Sequence, residues 1–440
     1  MDRLRAVVAA LTLGTPFVAA AADITRIASS FEDEDPFGMN IDASFEFTRQ
    51  RTKILREQLL QQNPAPNPAI PRQYSAELWY TGSDARLNLD VAIGIYRDLQ
   101  ISYRLPIVLA RAESWNFVSG TNESNSTIIN NCLNPQGGLL DPACPTNGMG
   151  SAPLFGVPAE TLRGGLDNMH FGMAWAFFNQ RHDETKPTWV MGIDYEAPTA
   201  PLLDPSVVTG AENRGAVGDR VHKFTLSTAL SRRIGLADPY FRVQYTIPRT
   251  GPGFYSNCDA RNGTEAPGTG FGLGFPANCG TAGWDRKTTG IQSPHTASVV
   301  FGSEFMAYEP TGKNQNLAID LRAMANYIGP GRYYNELSGP MRKLLATSDY
   351  VQLGGQFSVT AQAAESFFLR ASGMFLYNTD HALTDEKIGV DRNEDGNINL
   401  QEGSNELNPN FDFRTDFVSR RFYATESKTF RLDLSATFSF

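Results

Sequence analysis

Beyond its first two dozen residues the sequence lacks any apolar run of about 18 residues, so no helix of the mature chain is expected to cross a membrane. Histidine is scarce: His170, His182, His222, His295 and His381 are the only five. None stands at a diagnostic spacing from a serine or carboxylate, which argues against a hydrolase. There are four cysteines, with no Cys-x-x-Cys and no histidine beside them, which argues against zinc. An excess of positive charge is also missing. Lys and Arg number 38 against 47 Asp and Glu, a net charge of −9, which excludes a general nucleic-acid binder. No phosphate-binding glycine loop, haem motif or basic stripe occurs.

What is plentiful is turn chemistry. Gly (39), Pro (26), Asn and aromatics suit many strands joined by turns. The first residues carry Arg3 and Arg5, then an apolar run from Ala6 to Ala22 broken by Pro16, with small residues Ala20, Ala21 and Ala22 before Asp23. Residues 1–22 resemble a secretory signal peptide cleaved near Asp23. An uncleaved anchor is the alternative, and the run is short for a span. Residues 23–38, with the acidic "SFEDEDP", read as a periplasmic N-terminal segment. Export permits disulfides, and the cysteines fall into two local pairs in Gly/Pro/Asn-rich stretches. Cys132 with Cys144 and Cys258 with Cys279 read as loop-closing bridges.

The C-terminus sets the governing pattern. Phe422, Ala424, Phe430, Leu432, Leu434, Ala436, Phe438 and Phe440 fall on one parity. Tyr423, Thr425, Arg431, Asp433, Ser435 and Thr437 fall on the other. Side chains alternate faces along a strand, so this one is expected to be apolar on one face and polar on the other. Met169, Phe171, Met173, Trp175 and Phe177 repeat the pattern, as do Ile41, Ala43, Phe45 and Phe47. About twelve such segments centre near residues 46, 88, 105, 174, 193, 228, 244, 302, 322, 357, 373 and 431. Short turns are expected near 97–98, 181–187, 234–238, 311–315 and 364–366. Long connections are expected at about 55–74, 118–163, 201–219, 251–292, 333–348 and 382–419. "YTGSDA" (80–85) reads as a bulge in a long strand, because a hairpin there would break the alternation of connections.

With an export signal and a terminal Phe440, the chain resembles a bacterial outer-membrane β-barrel of the porin or transporter kind. The resemblance implies an all-β fold over residues 39–440. It would be a closed antiparallel transmembrane barrel of about 12 strands, with short periplasmic turns and long extracellular loops. It also implies outer-membrane lipid as surroundings, and recognition of the strand ending at Phe440 by barrel-assembly machinery. A soluble exported β-protein is the alternative, since single alternating strands occur there too. Trp79, Trp115, Trp175 and Trp189 are candidate members of aromatic girdles.

A lipid-facing parity must be apolar, and the lumenal parity can carry charge. The expected lumen holds Asp42, Glu46, Asp90, Asp194, Glu196, Glu304, Asp320 and Asp433, with Arg86, Arg104, Lys223, Arg233, Arg242, Arg322, Arg370 and Arg431. Such balance fits either a narrow passage between an acidic and a basic wall or an ion-pair network that fills the barrel. His170 is the only histidine on this parity well inside a strand.

One motif remains. "DRNEDGNINLQE" (391–402) has the spacing of an EF-hand calcium loop, and it resembles the lone loops of exported proteins. The resemblance implies Ca2+ ligands from Asp391, Asn393, Asp395, the Asn397 carbonyl, Asn399 and Glu402, with Gly396 at the sharp turn. An Asn/Asp/Gly-rich loop that binds nothing is the alternative. The expected function is a channel or transporter for small solutes with calcium bound in the last extracellular loop. A non-conducting structural or surface-interaction barrel is the alternative, and an outer-membrane hydrolase a second.

Overall fold

The computed structural model describes residues 22–29, 38–59, 72–129, 153–157, 160–259, 278–280, 283–310, 315–401 and 404–440. Residues 1–21, the acidic "SFEDEDP" stretch, Cys132, Cys144 and Glu402 lie outside them.

Twelve long strands form the wall: β1 (Met39–Leu59), β2 (Arg72–Tyr96), β3 (Leu99–Phe117), β4 (Met169–Phe178), β5 (Thr188–Ala197), β6 (Val221–Ser231), β7 (Ala237–Thr250), β8 (Thr296–Tyr308), β9 (Asn316–Ile328), β10 (Tyr350–Ala364), β11 (Phe367–Asn378) and β12 (Phe422–Ser439). Each pairs antiparallel with the next, and β1 pairs antiparallel with β12, so the sheet closes on itself. The seam runs from Asn40 opposite Ser439 to Arg56 opposite Phe422. Met39 and Phe440 exchange backbone hydrogen bonds of 2.9 and 2.8 Å at its end. All twelve expected strands are present. The β2–β3 turn is tight, with Arg97 at φ 45°.

Strand length matches a bilayer. The ten residues of β4 rise about 33 Å, or about 25 Å once tilted by about 40°, the height of an apolar band. Outward residues form that band: Phe171, Met173, Trp175, Phe430 and Leu434, as expected, and with them Leu226, Phe301, Leu321, Phe357, Leu369 and Phe375 all point away from the interior. Trp175, Phe177, Phe178 and Trp189 pack in tilted contacts at the short-turn end. At the other end Tyr195 stacks on His222 and Phe224. Above this level the outward face of β1 turns basic, with Arg49, Arg51 and Lys53, and Arg51 stacks over Trp79 at 4.1 Å. The lipid-facing band therefore ends between Phe47 and Arg49.

β2 runs unbroken through residues 80–85. The expected irregularity falls on its neighbour. Ala85 pairs with Ala110 and Arg86 with Val108, so Leu109 of β3 is the extra residue. The bulge flips the parity of β3 and turns Arg111, Glu113 and Trp115 inward. A second irregularity at Glu426 (φ 49°) does the same in β12. Phe430 faces outward, but Phe422 and Ala424 are fully buried on the inner side, against the even alternation expected.

The long connections carry a core of their own. Ile54, Leu78, Tyr80 and Trp115 at the strand tops pack with Ile128, Leu154, Phe155, Leu337, Met341, Leu345, Leu383 and Phe422. Trp115 is therefore a loop-core residue and not part of a girdle. Its Nε1 donates to the Glu336 carbonyl at 2.7 Å. The 258–279 disulfide forms.

A charge on the outer face should be costly and one on the inner face should not. Leu226→Arg, at the middle of β6, is expected to cost about 2–4 kcal/mol, whereas the inward Ser227→Arg should cost under about 1. Refolding into vesicles at graded urea, read by heat-modifiable gel mobility, checks the difference.

Candidate functional site

The inner wall is built by register. Asp42 stands opposite Asp90, Asp90 opposite Arg104, Arg104 opposite His170, His170 opposite Glu196, and Glu196 opposite Lys223. One step along, Asp238, Glu304, Asp320, Ser358, Ser372, Asp433, Glu46 and Arg86 follow one another around the ring. Every expected lumen charge except Arg233 lies on this face. Arg233 falls in the β6–β7 turn and pairs with Glu309 of the next turn at 2.8 Å. A strand end carries the parity rule no further than its last ladder pair.

The charges pair along the wall. Arg86 and Arg111 both hold Asp84, each at 2.7 Å. Arg104 pairs with Asp90, and Lys223 with Glu196 at 2.8 Å and Asp219 at 2.9 Å. Arg322 holds Asp320 at 2.6 Å, and Arg370 reaches the same carboxylate at 3.3 Å. Arg431 lies 3.5 Å from Glu46. Thr437 donates to Asp42 at 2.6 Å. These partners sit on the same, adjacent or nearby strands. The wall is neither an acidic side facing a basic one nor a network that fills the barrel. It leaves a cavity of about 840 Å³, lined by Glu46, Arg86, Arg104, His170, Asp194, Lys223 and Arg431 among others. Arg242 faces inward with no side-chain hydrogen bond or ion pair among the described residues.

Sequence reading missed Asp84, Arg111 and Glu113 of this wall. Alternation on β2 was enough to find Asp84, while the Leu109 bulge hid the other two. Glu113 accepts from Tyr80 at 3.2 Å and Tyr334 at 2.7 Å, and from Thr161. Also unforeseen is the His170 Nδ1–Asp194 contact of 2.9 Å across β4 and β5. Among the described residues no serine or threonine hydroxyl is hydrogen-bonded to the His170 ring.

Both ends of the lumen are covered. The 329–349 connection starts between β9 and β10 and crosses to the opposite wall. There Gln50 donates to Glu336 at 2.7 Å and Tyr334 to Glu113. Tyr333, Tyr334 and Leu344 roof the cavity. At the short-turn end residues 22–29, expected to lie outside the barrel, are docked within it. Asp23 contacts Glu304 and Arg370, Thr25 Oγ1 lies 2.7 Å from Ser231 Oγ, Ala28 donates to Gln100 at 2.7 Å and Ser29 to Asp98 at 3.0 Å. These contacts touch β3, β6, β8 and β11, so the segment crosses the lumen.

Residues 391–401 fold largely on their own oxygens. Asp391 accepts from the Glu394 and Gly396 amides, each at 2.8 Å, and Asn393 and Asp395 accept from the Asp395 and Asn397 amides at 3.0 and 2.8 Å. Asn399 accepts from Gln401 at 3.0 Å. Gly396 has φ 85°, a conformation that needs glycine at the turn. Glu406 accepts from the backbone of Arg392, Asn393 and Asn399 at 3.3, 3.3 and 2.7 Å. The carboxylate and amide oxygens of positions 391, 393 and 395 thus sit within one turn, a donor set suited to a hard cation. Among the described residues no three His, Cys, Asp or Glu side chains converge on one point.

Beneath this loop lies a buried charge cluster. Arg332 grips Glu386 through two bonds of 2.7 Å. Burial works to raise the Glu386 carboxyl, but the Arg332 guanidinium and Asn408 outweigh it and hold it below its usual range. Asp416 lacks such a partner. Its burial, with Glu386 and Asp412 adding to it against Lys343, pushes its carboxyl up to about 7.

No protein-family model matches the chain, and no curated protein does. Among solved structures it is similar to an outer membrane channel from Pseudomonas putida F1, at 10% identity, 96% of this chain, 100% of that chain and a TM-score of 0.43. It is similar to a FadL homologue of Pseudomonas aeruginosa at 10% identity, covering 91% and 90%, TM-score 0.36. It is similar to the outer membrane protease OmpT of Escherichia coli at 8% identity, covering 94% and 100%, TM-score 0.30.

Asp416 makes the loop cap pH-dependent. The folded cap binds this proton more tightly than the unfolded chain, whose carboxyl titrates near 3.9. The stabilising effect is therefore full below about pH 4 and is lost as pH rises to about 7, at up to about 1.4 kcal/mol per pH unit. Asp416→Asn should flatten this fall between pH 5 and 8, measured by the rate of loop proteolysis at each pH.

Proposed function

We propose that the chain is a bacterial outer-membrane barrel, reached by export through the inner membrane, that acts as a channel or transporter for small solutes. The observation that carries this reading is the polar cavity inside an apolar-clad, closed cylinder. Charges that pair along the wall leave the axis open to water and solute, while a filled barrel would spend the same side chains across it. The loop roof and the N-terminal segment are then the two gates of an occluded state. Outer-membrane lipid surrounds the apolar band, and the strand ending at Phe440 is the one presented to barrel-assembly machinery. A non-conducting surface barrel is favoured by the same two closures, so conduction is the deciding property.

Single-channel recording in planar bilayers separates the two. The intact protein should give rare, small openings. A variant lacking residues 23–37 should give larger and longer ones. Silence in both forms, with the barrel folded, would establish the non-conducting reading.

We also propose that the 391–402 loop binds Ca2+. Its spacing, the glycine turn and the oxygens gathered at Asp391, Asn393 and Asp395 support this, with Asn397, Asn399 and Glu402 as the remaining ligands. Only three of those ligands are acids, Asp391, Asp395 and Glu402, which suits an affinity of about 0.1–1 mM. Calcium in that range should slow proteolysis within 379–421, and chelator should reverse it. Asp391→Ala should remove the response. Identical cleavage with and without calcium in the wild type contradicts the assignment.

A further inference from the structure

The N-terminal segment meets an unusual piece of wall. Asp238 of β7, Glu304 of β8 and Asp320 of β9 stand directly opposite one another in register, and all three are buried. Like charges side by side repel, and burial sharpens the cost. Asp320 is answered by Arg322 and Arg370. Among the described residues, neither Glu304 nor Asp238 has a cation within ion-pair distance.

What reaches Glu304 is the backbone nitrogen of Asp23, which donates to its Oε2 at 3.1 Å. The Asp23 carboxylate points the other way, onto Arg370 and, at 3.8 Å, Arg322. Residue 23 thus sets its nitrogen on the acidic row and its carboxylate on the basic pair. In the unprocessed chain that nitrogen is a neutral amide. It is also the position at which the apolar leader ends in three alanines.

We propose that cleavage of the Ala22–Asp23 bond creates a buried α-ammonium that pairs with Glu304 beside Asp238, so that processing itself locks the segment across the lumen. The amide bond breaks and water supplies hydroxyl to the Ala22 carbonyl carbon and a proton to the Asp23 nitrogen. The freed amine takes a second proton from solvent. A neutral amide donor becomes a charged one, which makes a hydrogen bond roughly twice as strong, and Glu304 gains a cation in direct contact. Asp23 then binds as a zwitterion between the acidic row and the Arg322–Arg370 pair. The uncleaved chain has no such charge, so the lock exists only after processing.

The proposal rests on residues 1–22 being an export signal, and intact mass of the protein from outer membranes tests that premise separately. A mature chain that begins elsewhere overturns the proposal at its first step. The lock is then tested on full-length barrels released from a fusion, one beginning at Asp23 and one with Gly-Ser ahead of it. Folding of each is verified by heat-modifiable mobility. An amine-reactive reagent at pH 7 should label the α-amine of the Asp23 form about tenfold more slowly, the factor given by one unit of raised pKa. Glu304→Gln or Asp238→Asn should restore fast labelling in the folded Asp23 form, and Glu304→Asp should retain partial protection. Equal labelling of both forms, or protection unchanged in Glu304→Gln, would overturn the ion pair.

Discussion

Backbone amides and carbonyls in hydrocarbon have no water to bond, and each one left open costs several kcal/mol. The pairing of β1 with β12 answers that constraint, because it removes the two edges the twelve long strands would otherwise have. Everything else follows from the closure. Once the ring is shut, one parity faces lipid and the other an enclosed interior. Phe45 and Leu434 can then be apolar opposite each other while Glu46 and Asp433, one residue on, carry charge.

The interior and the loops solve a second problem together. Charge enclosed in the barrel is costly without a partner, and much of the wall meets this with short lateral pairs such as Arg104–Asp90 and Lys223–Glu196. This arrangement keeps the axis free. The long connections then close it from above with an apolar core of their own, in which the barrel strands take part through Ile54, Leu78 and Trp115. From below, the N-terminal segment meets a stretch of wall where Asp238 and Glu304, among the described residues, have no cation within ion-pair distance. The cap and the segment are smaller structures than the barrel and are held by fewer contacts, which places them among the elements able to open.

The strand count, their positions and the inside–outside assignment were legible in the sequence, because lipid on one side and charge on the other impose a period of two. Ile41 to Phe47 and Met169 to Phe177 carry that signal without interruption. It fails where the backbone slips. Leu109 and Glu426 each insert a residue, and the faces of Trp115, Glu113, Phe422 and Ala424 reverse beyond them. A bulge has no residue signature strong enough to mark it. Contacts across strands were equally hidden, because alternation gives a residue's face but not its neighbour, as with His170 and Asp194. The docking of residues 22–29 was invisible for another reason. A segment this short has no readable periodicity, and only the register of Asp238, Glu304 and Asp320 reveals what it meets. The 258–279 bridge was readable from local spacing in a Gly/Pro/Asn-rich connection.

The seam can be examined in intact membranes. Ser44 and Ser435 lie directly opposite each other on β1 and β12, on the lumenal face, while Leu434 faces away from Ser44. Ser44→Cys paired with Ser435→Cys should be bridged rapidly by a short thiol cross-linker, joining the two ends of the chain and shifting its gel mobility. Ser44→Cys paired with Leu434→Cys should not react. Failure of the first pair with the barrel folded, or equal bridging of both, would contradict a cylinder closed in this register.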